Sequence, residues 1–229
     1  MINSKLKKMK TGSEIIVQVL ADQGVETIFG YSGGAILPTY DEVFKYNEKN
    51  QDKPMPLIVP SNEQGAGFMA SGYARSSGKP GIVMVTSGPG ATNTVTPVRD
   101  AMADSIPMIV ICGQVSRQSI GSDAFQEAPI TSVMGSVAKH VFLVTEEKKL
   151  ASTLNAAFEI AVSGRPGPVV VDIPKDIQTA MIPDDDLEET NISAYRERIL
   201  IIKNDRLCSE KIDSFFYHLE NAKKPLIYS

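Results

Sequence analysis

Short, fully apolar runs alternate along this chain with longer stretches in which apolar residues recur at helical intervals. Thr11 and Glu14 have the spacing of a capping box, and Ile15, Ile16, Val19 and Leu20 follow at helical positions. They predict a first helix that ends near Gln23, before Gly24. Residues 25–29 read as a short strand, and Gly30 to Ala35 as a glycine-rich turn before a helix that begins near Ile36. A polar loop is expected over residues 47–54 and a buried strand over residues 56–59. The helix that follows runs to Arg75 and is opened by Glu63. Residues 81–86 are a fully apolar strand, and Ser87 to Asn93 form a second glycine-rich turn at its carboxyl end. Another helix is expected to reach about Ser105. Strands are predicted over residues 107–112, 138–144 and 168–173, with an amphipathic helix over residues 146–162. Between them, residues 113–131 are irregular and polar.

Repeated strand–turn–helix units with continuous apolar strands predict an α/β fold, a parallel sheet with helices on both faces. Ligands of such sheets bind beyond the carboxyl ends of the strands. Both glycine-rich turns, the Glu63 junction and the irregular segment are expected at that one edge. Residues 1–10 read as a basic, solvated tail carrying Lys5, Lys7, Lys8 and Lys10, and residues 11–180 as the main domain. Asp184 to Glu189 is an acidic run typical of a linker, which is placed over residues 181–205. Residues 206–229 resume with a helix bearing Ile212, Phe215, Phe216 and Leu219 on one face, then a strand from Lys223. One helix and one strand bury too little to stand alone, so this part is expected to be the start of a second α/β domain.

Composition narrows the picture. The chain has 229 residues, 42% hydrophobic and 22% charged, the balance of a globular protein. A net charge of −4 leaves no basic stripe to neutralise phosphates, which argues against a nucleic-acid binder. No apolar run approaches membrane-spanning length, and the basic start has no apolar run behind it, so no signal peptide is expected. Cys112 and Cys208 lie in unrelated contexts, Cys112 as a small buried thiol. With His140 and His218 far apart they make neither a disulfide framework nor a metal cluster. A cytoplasmic location is the default expectation.

Glu63 is the carboxylate to explain, because small and apolar residues follow it at once. One explanation is local, since Ser61 and Gln64 have capping-box spacing and an acid in the first turn complements the helix dipole. The other is chemical, with Ala66, Phe68 and Met69 as apolar company for a proton-sharing group. Neither glycine-rich turn is a P-loop, and neither has full dinucleotide-binding spacing. Asn191-Ile192-Ser193 matches a glycosylation acceptor but has no secretory context.

Taken together the motifs resemble a known family. Residues 29–38 (Phe-Gly-Tyr-Ser-Gly-Gly-Ala-Ile-Leu-Pro), 62–66 (Asn-Glu-Gln-Gly-Ala) and 86–93 (Thr-Ser-Gly-Pro-Gly-Ala-Thr-Asn) are similar to the catalytic subunits of the acetolactate (acetohydroxyacid) synthase family. Residues 123–127 (Asp-Ala-Phe-Gln-Glu) and 163–169 (Ser-Gly-Arg-Pro-Gly-Pro-Val) extend the match, which covers about Thr11 to Asp176 in order. The resemblance implies a thiamine diphosphate enzyme, with residues 11–180 as its pyrimidine-binding domain and residues 206–229 as the start of the FAD-binding middle domain. It implies that Glu63 hydrogen-bonds the aminopyrimidine ring and shares a proton with it, which activates the thiazolium carbon toward pyruvate. Carbon dioxide then leaves, and the two-carbon unit adds to a second 2-keto acid in branched-chain amino-acid biosynthesis.

By the same resemblance Tyr31, Gly33, Gly34 and Ala35 form the turn near the reacting carbon, Ala35 at the substrate channel. Phe125 and Gln126 line that channel, Lys175 belongs to it, and Arg165 contacts an FAD that does no net redox chemistry. A homodimer or tetramer through the pyrimidine domain is implied, and a regulatory small subunit is compatible with it. The family often has proline where Ser32 stands and arginine–histidine where Ser61-Asn62 stand, which bears on cofactor tuning. Its diphosphate and Mg²⁺ site, a Gly-Asp-Gly followed by Asn-Asn, occurs nowhere in this chain. The expectation is that the chain alone neither holds its cofactor nor turns over. Two alternatives remain: a related enzyme such as pyruvate oxidase, using FAD in electron transfer, and a free-standing pyrimidine module that needs a partner chain.

Overall fold

The computed structural model describes residues 9–204 and 208–226. Most of the basic tail and the end of the expected C-terminal strand (residues 1–8 and 227–229) lie outside the described residues, and the described part of that strand, residues 223–226, is not a strand. The fold has two compact units, one ending at Asn191 and the other starting at Ile192.

The first unit is built on a six-stranded parallel sheet of order β3-β2-β4-β5-β7-β6. Its strands are β2 (Ile28–Tyr31), β3 (Leu57–Ile58), β4 (Gly81–Val85), β5 (Met108–Gln114), β6 (His140–Leu143) and β7 (Pro168–Pro174). The central strands β4, β5 and β7 are buried throughout, which is why they read as unbroken apolar runs. One face is covered by α3 (Glu63–Ser77), α5 (Val95–Ala103) and α6 (Ile130–Gly135), which close a core over Val83, Val85, Val110, Cys112 and Val170. The other face is covered by α1 (Gly12–Asp22), α2 (Leu37–Lys49), α7 (Leu150–Val162) and α8 (Lys175–Thr179). The parallel sheet with helices on both faces is the architecture the apolar pattern implies.

Thr11 caps α1 in a complete capping box with Glu14, as expected. Elsewhere the structure corrects the sequence. The expected buried strand at residues 56–59 is only the two-residue β3 at the sheet edge, with Ile58 42% and Val59 56% exposed. An edge strand pairs on one side only and needs no burial on the other. The cap of α3 is Asn62, whose Oδ1 accepts from Gly65 N at 2.8 Å, and not the Ser61–Gln64 box. The strand expected over residues 25–29 is displaced to Ile28–Tyr31, and α2 runs into the expected polar loop as far as Lys49. The second glycine-rich turn contains a short helix, α4 (Pro89–Thr92), and the helix expected to reach about Ser105 is α5, ending at Ala103. Within the expected irregular segment, β5 continues to Gln114 and α6 already starts at Ile130.

Over residues 181–205, where a linker is expected, the chain forms β8 (Met181–Pro183), antiparallel to β1 (Met9–Thr11), and later α9 (Ser193–Asn204). The second unit holds α9 and α10 (Ser209–Asn221), with Ile212, Phe215 and Phe216 of α10 exposed.

Two internal features fix the carboxyl edge. Arg117, just past β5, donates from its backbone N and Nε to the two oxygens of Asp176 (3.0 and 2.6 Å). Its other nitrogens reach the Thr145 carbonyl at 2.9 Å and the Glu147 carboxylate. One guanidinium thus ties the chain leaving β5, β6 and β7 together, in the planar fork that suits carboxylates. Asp172, within β7, is 1% exposed; its Oδ2 accepts from Gln114 Nε2 at 2.9 Å while Oδ1 has no partner. The same Gln114 nitrogen donates to the Ala128 carbonyl at 3.2 Å. Burial pushes the Asp172 carboxyl up to about 7, against the opposing pull of the Gln114 hydrogen bond.

These interior bonds have measurable consequences. Because the folded form holds the Asp172 proton to higher pH than an unfolded aspartate does, stability falls as pH rises from about 4 to about 7. The slope is at most about 1.4 kcal/mol per pH unit. Urea denaturation at several pH values is expected to show this slope and its flattening in Asp172→Asn. Arg117→Ala is expected to free the segment between β5 and α6, read as faster protease cleavage between residues 115 and 129 at unchanged secondary-structure content.

Candidate functional site at the carboxyl edge of the sheet

The chain leaves β2 toward β3 on one side and returns to β4 on the other side of β2. This reversal opens a crevice at the carboxyl ends of β2 and β4, the usual ligand position in a doubly wound sheet. The turn after β2 carries Tyr31, Gly33, Gly34 and Ala35; the turn after β4 carries Thr86 to Asn93; the junction after β3 carries Glu63.

Ala35 is pinned by both its backbone groups. Its N–H donates to Thr86 Oγ1 at 3.2 Å, and its carbonyl accepts from Gln178 Nε2 at 2.8 Å. Gln178 is buried and fully used, since it also donates to the Ile173 carbonyl at 3.0 Å and accepts from Thr39 Oγ1 at 2.9 Å. Thr86 packs so close to Gly33 that a Cβ there would sit 2.5 Å from its methyl carbon. A Cβ on Gly34 would meet nothing within 4 Å, so that backbone is open to a ligand.

Glu63 is half-buried at the first position of α3. Its Oε2 accepts from Asn93 Nδ2 at 2.8 Å, and a Cβ on Gly90 would lie 3.4 Å from its Oε1. The expected apolar company is only partly there: Ala66 is buried, whereas Phe68 and Met69 face outward, 42% and 44% exposed. Helical periodicity turns those two positions away from the sheet. Tyr40 lies within range of Glu63's charge and donates from its hydroxyl to the Met84 carbonyl at 2.8 Å. Burial first, and the Glu63 charge second, raise the Tyr40 phenol well above its ordinary value, so it remains a neutral donor.

The irregular segment folds over the same edge. Gly88, at φ 52°, has the Gln126 carbonyl 2.4 Å from where its Cβ would be, so a side chain is excluded there. Gln126 and Asp123 adopt φ values of 57° and 56°, a left-handed conformation costly for residues other than glycine. The Glu127 carboxylate holds this bend by accepting from Gly121 N and Ala124 N, bonds that keep its carboxyl below the usual range. Phe125 projects from the bend, 88% exposed. Lys175 is exposed at the carboxyl end of β7.

The structure therefore brings Tyr31, Gly33, Gly34, Ala35, Glu63, Phe125, Gln126 and Lys175 to one edge of the sheet. It does not bring Arg165 there. Arg165 precedes β7, at the opposite edge, where it donates to the carbonyls of Met102 and Ala103 (2.9 and 3.0 Å) and to Ser105 Oγ (2.9 Å). Sequence reasoning placed the turn of Ser87 to Asn93 at this edge but gave Thr86, Gly90, Asn93 and Gln178 no individual role there. For Gly90 and Asn93 a signal was present, because three-residue spacing puts them on one side of a helical turn.

Residues 10–134 match a family described as "Thiamine pyrophosphate enzyme, N-terminal TPP binding domain". The chain is 46% identical over 219 residues to the mitochondrial acetolactate synthase catalytic subunit of Saccharomyces cerevisiae, covering 95% of this chain and 31% of that protein. It is 40% identical over 223 residues to the acetolactate synthase large subunit of Lactococcus lactis, covering 97% of this chain and 37% of the relative. Over 171 residues it is 51% identical to the large subunit of Haemophilus influenzae, covering 75% of this chain and 29% of the relative. The chain thus spans about a third of the length of the curated relatives it matches. With the family match extending over more than half of its residues, and its crevice lined as described, the chain belongs to the thiamine pyrophosphate enzyme family through the N-terminal TPP binding domain.

Proposed function

We propose that this chain is the pyrimidine-binding part of an acetolactate synthase, which decarboxylates pyruvate and joins the two-carbon unit to a second 2-keto acid in branched-chain amino-acid biosynthesis. The observation that carries this reading is Glu63, a carboxylate at the switch point of the sheet with one oxygen held by an amide and the other beside a bare glycine. Identity of 40% or more to acetolactate synthase subunits over most of the chain supports it.

The residues present fit an aminopyrimidine. A flat ring needs backbone it can approach, which Gly34 supplies, and a half-exposed carboxylate to meet its ring nitrogen, which Glu63 supplies. When bound, thiamine diphosphate supplies a nucleophilic carbon and an electron sink for decarboxylating 2-keto acids. In this proposal Glu63 shares a proton at Oε1, and Tyr31, Gly33 and Gly34 border the ring. Ala35, Phe125, Gln126 and Lys175 line the approach of the keto acid. The exposed apolar ring of Phe125 can exclude water, and the cationic Lys175 suits a carboxylate substrate.

Among the described residues no group of three or more His, Cys, Asp or Glu side chains could hold a metal. Under this reading Mg²⁺ and the diphosphate are held by residues of another domain or chain. FAD is assigned to Arg165, whose Nη1 stands outside the three bonds made by Nε and Nη2. Exposed Ile58 of β3, Val59 just past it, and Phe68 and Met69 of α3 are apolar surface on either side of Glu63 suited to a second subunit, in a homodimer or tetramer. A regulatory small subunit is a further partner of the complete enzyme under this reading. Among the described residues no helix is long and apolar enough to cross a membrane. The proposed compartment is the cytoplasm; the mitochondrial and chloroplastic relatives mark the alternative that cell fractionation would reveal.

The test is acetolactate formation from pyruvate by the complete enzyme. Glu63→Gln keeps the size of the side chain and removes its proton sharing, and is expected to lower kcat by roughly 100-fold or more with little change in Tm. Turnover unchanged by that substitution overturns the role of Glu63. Reduction of bound flavin by pyruvate would instead favour an oxidase.

A further inference from the structure

The turn between β4 and α5 contributes more than a close backbone approach. It forms α4, whose Gly90 lies three residues before the C-cap Asn93, on the same side of the turn. Asn93 Nδ2 donates to Glu63 Oε2 at 2.8 Å, and Gly90 stands against Oε1, where a Cβ would be 3.4 Å away. That Cβ would also lie 2.7 Å from the Thr86 methyl, on a β-branched side chain that its bond from Ala35 N holds in place. The two oxygens of Glu63 are therefore not equivalent. An ionised carboxylate only accepts, so the amide must turn its NH₂ toward Glu63, and this donor occupies Oε2. The backbone of Asn93 is itself fixed, its N–H donating to the Pro89 carbonyl at 3.0 Å.

We infer that Asn93 is a positioning residue for Glu63: it holds Oε2 as the unprotonated acceptor, so that the oxygen facing Gly90 is the one that meets a ligand's nitrogen. Gly90 keeps the space beside that oxygen free. Without the amide, the carboxylate can rotate about its χ angles, and either oxygen can turn to solvent in a half-exposed site. A charge-assisted hydrogen bond of this kind contributes more than a neutral one, enough to favour one rotamer over the others. The inference rests on the reading of Glu63 as the proton-sharing group, and it concerns which of its oxygens acts and what holds it there.

The experiment uses the complete enzyme with three substitutions, Asn93→Ala, Asn93→Asp and Glu63→Gln. Thiamine diphosphate affinity is read by calorimetry, and exchange of the cofactor's C2 proton with deuterated water is read by NMR in the absence of keto acid. Asn93→Ala is expected to slow C2 exchange roughly tenfold and to shift its pH profile, with KM for pyruvate unchanged and Tm retained. Asn93→Asp is expected to slow it further, because a second carboxylate there cannot donate and repels Glu63. If Glu63→Gln slows exchange while both Asn93 variants exchange at the native rate, the positioning role is overturned and the reading of Glu63 stands. If Glu63→Gln also exchanges at the native rate, that reading and this inference fall together. Asn93→Asp keeps the side-chain shape, so it decides the matter should the alanine variant fail to fold.

Discussion

Ala35 is held by both of its backbone groups, the N–H by Thr86 and the carbonyl by Gln178, and the carboxyl edge of the sheet is arranged around that pin. A parallel sheet turns its strand ends into a row of loops, and loops have no ladder of their own to satisfy their backbone. Here the turn after β2 takes a hydroxyl from the turn after β4 and an amide from α8, so three separate crossovers meet at one residue. The bare backbone at Gly33 is the steric counterpart, since Thr86 occupies the volume a side chain would need. With that turn immobilised, the crevice between β2 and β4 has a defined wall, and Glu63 enters it from the third direction.

Two carboxylates on this sheet show how placement sets chemistry. Asp172 is sealed in the interior with one oxygen unpartnered, and burial holds its proton to about pH 7. Its use is structural, because the Gln114 it engages also grips Ala128, at the end of the segment that carries Phe125 and Gln126. Glu63 stands at the opening instead, half-exposed, with one oxygen committed to Asn93 and the other toward the space that Gly90 leaves. A ligand can reach the second carboxylate and cannot reach the first.

The bend over residues 121–127 is the most strained part of the edge. Two non-glycine residues take left-handed backbone angles within it, and Glu127 commits its carboxylate to the amides that keep the bend closed. Strain of this kind persists only where surrounding contacts over-determine it. Gly88 accepts the bend by lacking a Cβ, and Arg117 braces the chain just before it. The outcome is a phenyl ring presented to solvent beside the turn after β4.

The sequence by itself determined the order and kind of the main elements, because apolar runs and helical periodicity record burial directly. It also located Glu63 and both glycine-rich turns at one edge, since parallel topology puts every strand-to-helix junction there. It misjudged β3, whose apolar residues serve an exposed edge, and Ser61, which has capping spacing while Asn62 does the capping. Only the tertiary structure decided that Asn93 holds Glu63 across 30 positions and that Gln178 holds Ala35 across 143. Such bonds leave no periodic trace, because they depend on how helices pack on a sheet and not on the spacing of residues within any one element.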